Sequence, residues 1–330
     1  MVNKRIDYID TLKCIAIFAV IAIHGLSLLG QVKLFGYKVG SFQQIFRFAV
    51  PLFLMITGAL FLDKEIVLKD YLKNRFVRVL YPLLFFTLLL YITKTSDHIL
   101  YYYWYSWMIV GVLLAVPVIN KFIQYSDETE IKYYLAVFVL FSIFCQVCHI
   151  FNIKYALDIS FFYTPVSFLV LGYYLFNKKI NISPYKIIIL SVVLFIISTI
   201  IKIKTGNIHF TNDFHSYLDL SVFQIIQVTS VFMFFKTIYE SRKTFLYKLL
   251  EINTIKKFNL SISRASYGMY LVQHPLIYTV IPLFVKKMNW TTKGSVKFYI
   301  ISVVCVFILS WIIVLILGKI PVIKKFSGYY

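Results

Sequence analysis

Apolar residues fall along the chain in runs of about 17–25, the length a helix needs to cross the hydrocarbon core of a bilayer. Short polar stretches between the runs carry most of the charges. A membrane imposes this pattern because each spanning segment must satisfy its own backbone hydrogen bonds, which a helix does. The runs predict helical spans at about 9–30, 42–62, 77–95, 104–125, 133–151, 160–176, 185–203, 217–239, 262–284 and 297–318, with ends uncertain by about 2–4 residues. The expected fold class is an all-α integral membrane protein of about ten transmembrane helices, with 1–330 forming a single polytopic domain. The longest polar interval, about 240–261, includes Phe245, Leu249 and Leu250 among its charges and predicts an amphipathic helix on the membrane surface.

Composition strengthens this picture. The 330 residues are 60% hydrophobic and only 15% charged, against roughly 45–50% and about 25% in soluble domains. Met1 leads directly into the first run with no small-residue cleavage site, so that run predicts a retained helix rather than a removed signal peptide. Cys14, Cys145, Cys148 and Cys305 all fall within predicted spans, which argues against a disulfide framework. Cys145-Gln146-Val147-Cys148-His149 spells a c-type haem attachment pattern, but inside an apolar helical run it reads as small thiols packed in a helix. His and carboxylates never cluster at ligand spacing, so no metal is implied.

The formal net charge of +20 changes the picture through its distribution. No stretch forms the basic stripe that tracks phosphates, so nucleic acid is not an expected partner. With an even number of spans both termini share one side. Placing them in the cytoplasm puts 22 of the 34 Lys and Arg inside and ten outside, with Lys13 and Arg47 within spans. Lys202 is among the ten assigned to outer loops. Tyr101, Tyr102, Tyr103, Trp104, Tyr105 and Trp107 open the fourth span and fit an interfacial aromatic belt.

Polar groups inside spans carry the candidate chemistry, since a charge there costs about 2.5–3.5 kcal/mol or more. The first span holds Asp10, Lys13 and His24. Eleven helical steps return Lys13 and His24 to within about 20° of one face, roughly 16 Å apart along the axis. They mark one stripe at two depths, Lys13 near the cytoplasm and His24 past the midplane. Arg47 lies at a depth similar to His24. Arg75 and Arg78, spaced i, i+3, share a face at the inner start of the third span. Each has a plainer reading: snorkelling for Lys13 and Arg47, packing for His24, topology anchoring for the arginine pair. His274 precedes Pro275 in the ninth span, where proline frees a backbone carbonyl beside a cavity or kink. His98, His209 and His215 fall in outer loops and carry no specific signal.

Read in order, four motifs resemble the membrane-bound acyltransferase 3 family of bacterial surface-polysaccharide O-acetyltransferases. Asp10-Thr11-Leu12-Lys13 followed by His24 is similar to the family's basic residue, ten positions, then histidine. Phe46-Arg47-Phe48-Ala49-Val50-Pro51-Leu52-Phe53, continuing to Thr57-Gly58, resembles its second-span signature, with Thr where Ser is common. Arg75-Phe76-Val77-Arg78 matches its paired arginines. Ser266-Tyr267-Gly268-Met269-Tyr270-Leu271 resembles the late signature, whose histidine is shifted by about one position at His274.

The resemblance implies a multi-pass protein of the bacterial plasma membrane that moves an acyl group from cytoplasmic acyl-CoA, most often acetyl-CoA, to a hydroxyl of a surface polysaccharide or lipid-linked sugar. It implies phosphate binding by Lys13, Arg75 and Arg78, general-base catalysis by His24, and oxyanion stabilisation by Arg47. The sequence ends shortly after the tenth span, so the hydrolase-like domain of some relatives is not expected; the membrane domain acylates the glycan itself or a separate envelope-assembly protein completes transfer. The competing class is a transporter or flippase for an envelope glycan precursor, since buried cations suit an anionic lipid-linked sugar as well.

Overall fold

The computed structural model describes residues 6–26, 33–34, 37–92, 103–151, 153–154, 157, 161–162, 164–205, 219–281 and 296–330. Of these, all but a two-residue antiparallel pair, Lys33–Leu34 with Tyr37–Lys38, belong to helices and their connections. The helices are α1 (Asp7–Leu26), α2 (Ala49–Phe61), α3 (Val77–Ile92), α4 (Trp104–Tyr125), α5 (Glu128–Ile150), α6 (Pro165–Asn177), α7 (Pro184–Thr205), α8 (Val222–Ser241), α9 (Phe245–Leu250), α10 (Asn253–Pro275) and α11 (Val296–Lys319). A 3₁₀ segment, Val39–Ile45, precedes α2, and a one-turn α segment, Leu68–Tyr71, followed by a π segment, Leu72–Phe76, leads into α3. Eight helical stretches among the described residues are long and apolar enough to cross a membrane; α6 is apolar but shorter. Each predicted span overlaps a helix within its described residues, but α6 and α10, at the predicted sixth and ninth spans, are not among the eight. The largest boundary difference is α10, which begins at Asn253 rather than near 262 and takes up the end of the predicted surface helix. That helix is left as α9, with Phe245 78% exposed.

The chain divides into two compact units. The first comprises Met1–Leu12, Arg47–Glu65 and Ala115–Lys257. Here α2 packs on α6 and α7 on α8. The α2–α6 contact is as close as two backbones allow: a Cβ at Gly58 would lie 1.9 Å from the Leu169 carbonyl oxygen, and one at Gly172 would lie 2.1 Å from that of Met55. Small residues permit such approach between membrane helices, where water supplies no hydrophobic drive. Gly58, in the second-span motif, has no room for a side chain at this contact. At the end of α6, the buried Lys236 of α8 donates to the carbonyls of Leu175 at 2.6 Å, Phe176 at 3.0 Å and Lys178 at 2.7 Å. A cation placed there meets the negative helix end and its unpaired carbonyls. Lys256 joins Asp7 at 2.7 Å and Glu251 at 3.0 Å, and these carboxylates hold its ammonium above the usual lysine pKa.

The second unit comprises Lys13–Phe46, Ile66–Leu114 and Phe258–Tyr330. Its helices are joined by side chains reaching backbone carbonyls. Tyr299 on α11 donates to Ala22 on α1 at 3.2 Å, Tyr71 to Leu113 at 2.8 Å, and Tyr103 to Leu271 at 2.9 Å. The late signature is part of this work. Tyr267 donates to the Val79 carbonyl at 3.0 Å, and Gly268 admits the C-terminal segment so closely that its N–H donates to the Gly328 carbonyl at 3.3 Å. Tyr330 then reaches the Arg78 carbonyl with its hydroxyl, and the Arg78 guanidinium lies 5.6 Å from the Tyr330 ring centroid.

Candidate active site

His24 occupies the last turn of α1, and His274 the last turn of α10. Both belong to the second unit. Their ring centroids are 4.6 Å apart, with the planes tilted by 45°. His24 is partly buried and His274 almost wholly so. The His274 imidazole is held on two sides: it stacks on Tyr278 at 5.5 Å and meets the buried Tyr103 edge-on at 6.2 Å. Pro275 follows, and the helix passes from α to π geometry over Leu276–Val280. A π segment of this kind marks a local break in the hydrogen-bond ladder and is common at functional sites.

Tyr103 and Tyr105 are buried, so these two members of the aromatic cluster pack inside the unit instead of forming a headgroup belt. Tyr101 and Tyr102 lie outside the described residues, as do His98, His209 and His215. Gln273, beside His274, is completely buried, and neither end of its amide finds a hydrogen-bond partner among the described residues. Leaving a buried amide unsatisfied costs about 1–3 kcal/mol, which a bound ligand would recover.

The cationic candidates fall in different units. Lys13, half-buried on α1, and Arg75 and Arg78 belong to the same unit as the histidines. Arg75 sits in the π segment and Arg78 in the first turn of α3. Both are exposed, and their charges lie within electrostatic reach of each other. That proximity of like charge is tolerable in solvent and useful where a polyanion binds. Arg47 belongs to the first unit, at the turn that leads into α2. There it joins a cluster that sequence reading missed. Lys202, counted with the outer-loop lysines although it falls at the end of the predicted span 185–203, lies in the last turn of α7, is 2% exposed and pairs with Asp219 at 3.0 Å.

A family model described as an acyltransferase domain matches residues 6–315. The chain belongs to the acyltransferase 3 family. Comparison with curated proteins and with solved structures finds no match. The family match and the apolar helices together make this a multi-pass membrane acyltransferase. The second unit holds an imidazole beside a second, packed imidazole, and carries the cations Lys13, Arg75 and Arg78. The missed pairing of His24 with His274 had one signal in the sequence, a histidine before proline late in an apolar span.

Proposed function

We propose that this acyltransferase moves an acyl group, acetyl in the first instance, from cytoplasmic acyl-CoA to a hydroxyl of a cell-surface or lipid-linked glycan. The observation that carries the reading is the His24–His274 contact in a chain of this family. Neutral imidazole is the side chain best matched to taking a proton from a hydroxyl near neutral pH. In the proposed step, His24 accepts the acceptor's proton as its oxygen attacks the thioester carbonyl. The tetrahedral intermediate then expels the CoA thiolate, which takes up the proton from His24, leaving the ester and free CoA. His274 is the positioning residue: held by Tyr103 and Tyr278, it gives the His24 ring a fixed neighbour.

Lys13, Arg75 and Arg78 hold the nucleotide phosphates of acyl-CoA, because guanidinium forks pair with phosphate oxygens and the ammonium adds charge. This assigns the Arg75–Arg78 end of α3, with both termini, to the cytoplasmic side. The membrane is the bacterial plasma membrane in this reading.

The test is release of free CoA from acetyl-CoA by the purified protein given a surface-glycan acceptor. His24→Ala is expected to lower the rate by about 10²–10⁴ while leaving acyl-CoA binding in place. A well-folded His24→Ala protein that turns over near the wild-type rate overturns the assignment of the base.

A further inference from the structure

The first unit contains a second polar centre, around Arg47 and Lys202, to which the His24 step proposed above assigns no role. Lys202 lies in the last turn of α7, and its ammonium contacts Asp219 at 3.0 Å, the Gln224 side-chain oxygen, and that of Gln227 at 3.3 Å. Asp219 also accepts from the Ser221 N–H at 2.9 Å. Gln227 donates to the Thr199 hydroxyl at 2.7 Å. Gln224 turns its amide N–H₂ the other way and donates to the Arg47 carbonyl at 3.1 Å. One glutamine therefore ties the Lys202 ammonium to the backbone of Arg47. Lys202, Asp219, Gln224 and Gln227 are each at most 7% exposed.

Among the described residues the charges do not balance. The Asp219 carboxylate is engaged by Lys202 and Ser221, and Arg47 lies within electrostatic reach of both Asp219 and Lys202. Two cations thus share one carboxylate among the described residues. The Arg47 Nε is buried and donates to no described residue, while the side chain as a whole keeps part of its surface accessible. Backbone geometry adds to the imbalance. Arg47 and Asp219 each stand just before the N-terminus of an apolar helix, α2 and α8, where backbone N–H groups favour negative charge. Lys202 already sits at the C-terminal end of α7, where a cation belongs. Sequestered surplus charge is costly, and a guanidinium with a free donor is built to receive an oxyanion.

We propose that Arg47, oriented by the Lys202–Asp219–Gln224 network, forms a binding site for a phosphate group. Phosphate is the class the surroundings favour. The cluster gathers at the ends of membrane-spanning helices, α7 and α8, where lipid headgroups lie, and the planar fork of Arg47 pairs two phosphate oxygens. A headgroup phosphodiester and a soluble phosphate share that chemistry. Arg47 is the ligand group; Lys202 and Asp219 are positioning residues that act on its backbone through Gln224 and, among the described residues, leave one positive charge over. This site is independent of the His24 proposal.

The experiment uses the full chain in nanodiscs of phosphatidylcholine, in the same nanodiscs with inorganic phosphate in the buffer, and in nanodiscs containing phosphatidylglycerol. Thermal unfolding reads the linkage, and native mass spectrometry reads retained lipid. The expected result is a rise in wild-type Tm of about 5 °C with phosphatidylglycerol or with phosphate, relative to phosphatidylcholine alone. A response to phosphatidylglycerol alone identifies a headgroup site, and a response to phosphate in phosphatidylcholine identifies a soluble ligand. Arg47→Gln is expected to abolish the shift. Asp219→Asn raises the surplus charge and is expected to lower Tm in phosphatidylcholine but to recover more than wild type when the anion is supplied. Wild type indifferent to both anions, or equal shifts in wild type and Arg47→Gln, overturns the proposal. If Arg47→Gln does not fold, the Asp219→Asn arm decides: a loss of stability with no anion recovery also overturns it. His24→Ala is expected to keep the full shift, so failure of the catalytic reading leaves this one standing.

Discussion

The Lys202 centre of the first unit and the His24–His274 centre of the second spend their polar groups differently. In the first, Lys202, Asp219, Gln224, Gln227, Thr199 and Ser221 satisfy one another, and the surplus is confined to Arg47. In the second, two imidazoles meet ring to ring and Gln273 beside them buries an amide with no hydrogen bond to a described residue. A closed network holds structure together. An open one costs stability and keeps donors and acceptors for something that binds. The contrast sets a scaffold-forming polar cluster against the centre proposed for acyl transfer.

The largest expected effect lies in the closed network. Lys202→Met leaves Asp219 buried without its ion-pair partner, which destabilises by about 3–5 kcal/mol. Removing both charges in Lys202→Met/Asp219→Leu is expected to restore most of that, because an apolar pair avoids the desolvation cost. Thermal unfolding of the single and double variants measures the difference; a double variant as unstable as the single one would show that the network does more than balance its own charges. His274→Ala comes next and should act on rate. CoA release is expected to fall about 10–100-fold, an apparent barrier increase of about 1.4–2.7 kcal/mol, with acyl-CoA affinity little changed. Should His274→Ala lose stability on the scale of Lys202→Met instead, the second centre is structural and the contrast is gone. The smallest effect is the sharpest. Gln273→Leu removes an amide without a described partner, so stability is expected to stay within about 1 kcal/mol of wild type or to rise, while acyl transfer slows. A marked loss of stability with unchanged turnover would mean that Gln273 is bonded within the fold.

Much of the architecture was legible in the chain. The apolar runs overlap helices over their described residues, eight of them long and apolar enough to cross a membrane, because hydropathy and helical period are local properties, read within a window of about 18 residues. The same locality put Lys13 and His24 on one helix and Arg75 beside Arg78. It misled at Lys202. A lysine at the end of an apolar run is ordinarily a headgroup anchor, and nothing within a turn of it announces an ion pair with Asp219 across the α7–α8 connection. The aromatic cluster misled for the same reason. Tyrosines at a span end suit an interface, yet Tyr103 is buried against Leu271 and His274.

By itself, then, the sequence determined that this protein lives in a membrane as a set of apolar helices and that its ordered motifs belong to an acyltransferase. Those features depend on composition, periodicity and spacing along one chain. Only the tertiary structure decided that His24 meets His274 and that Lys202 serves Asp219. Such contacts depend on which helix faces pack together, and the free energy that selects them is summed over whole interfaces rather than carried by any short stretch of residues.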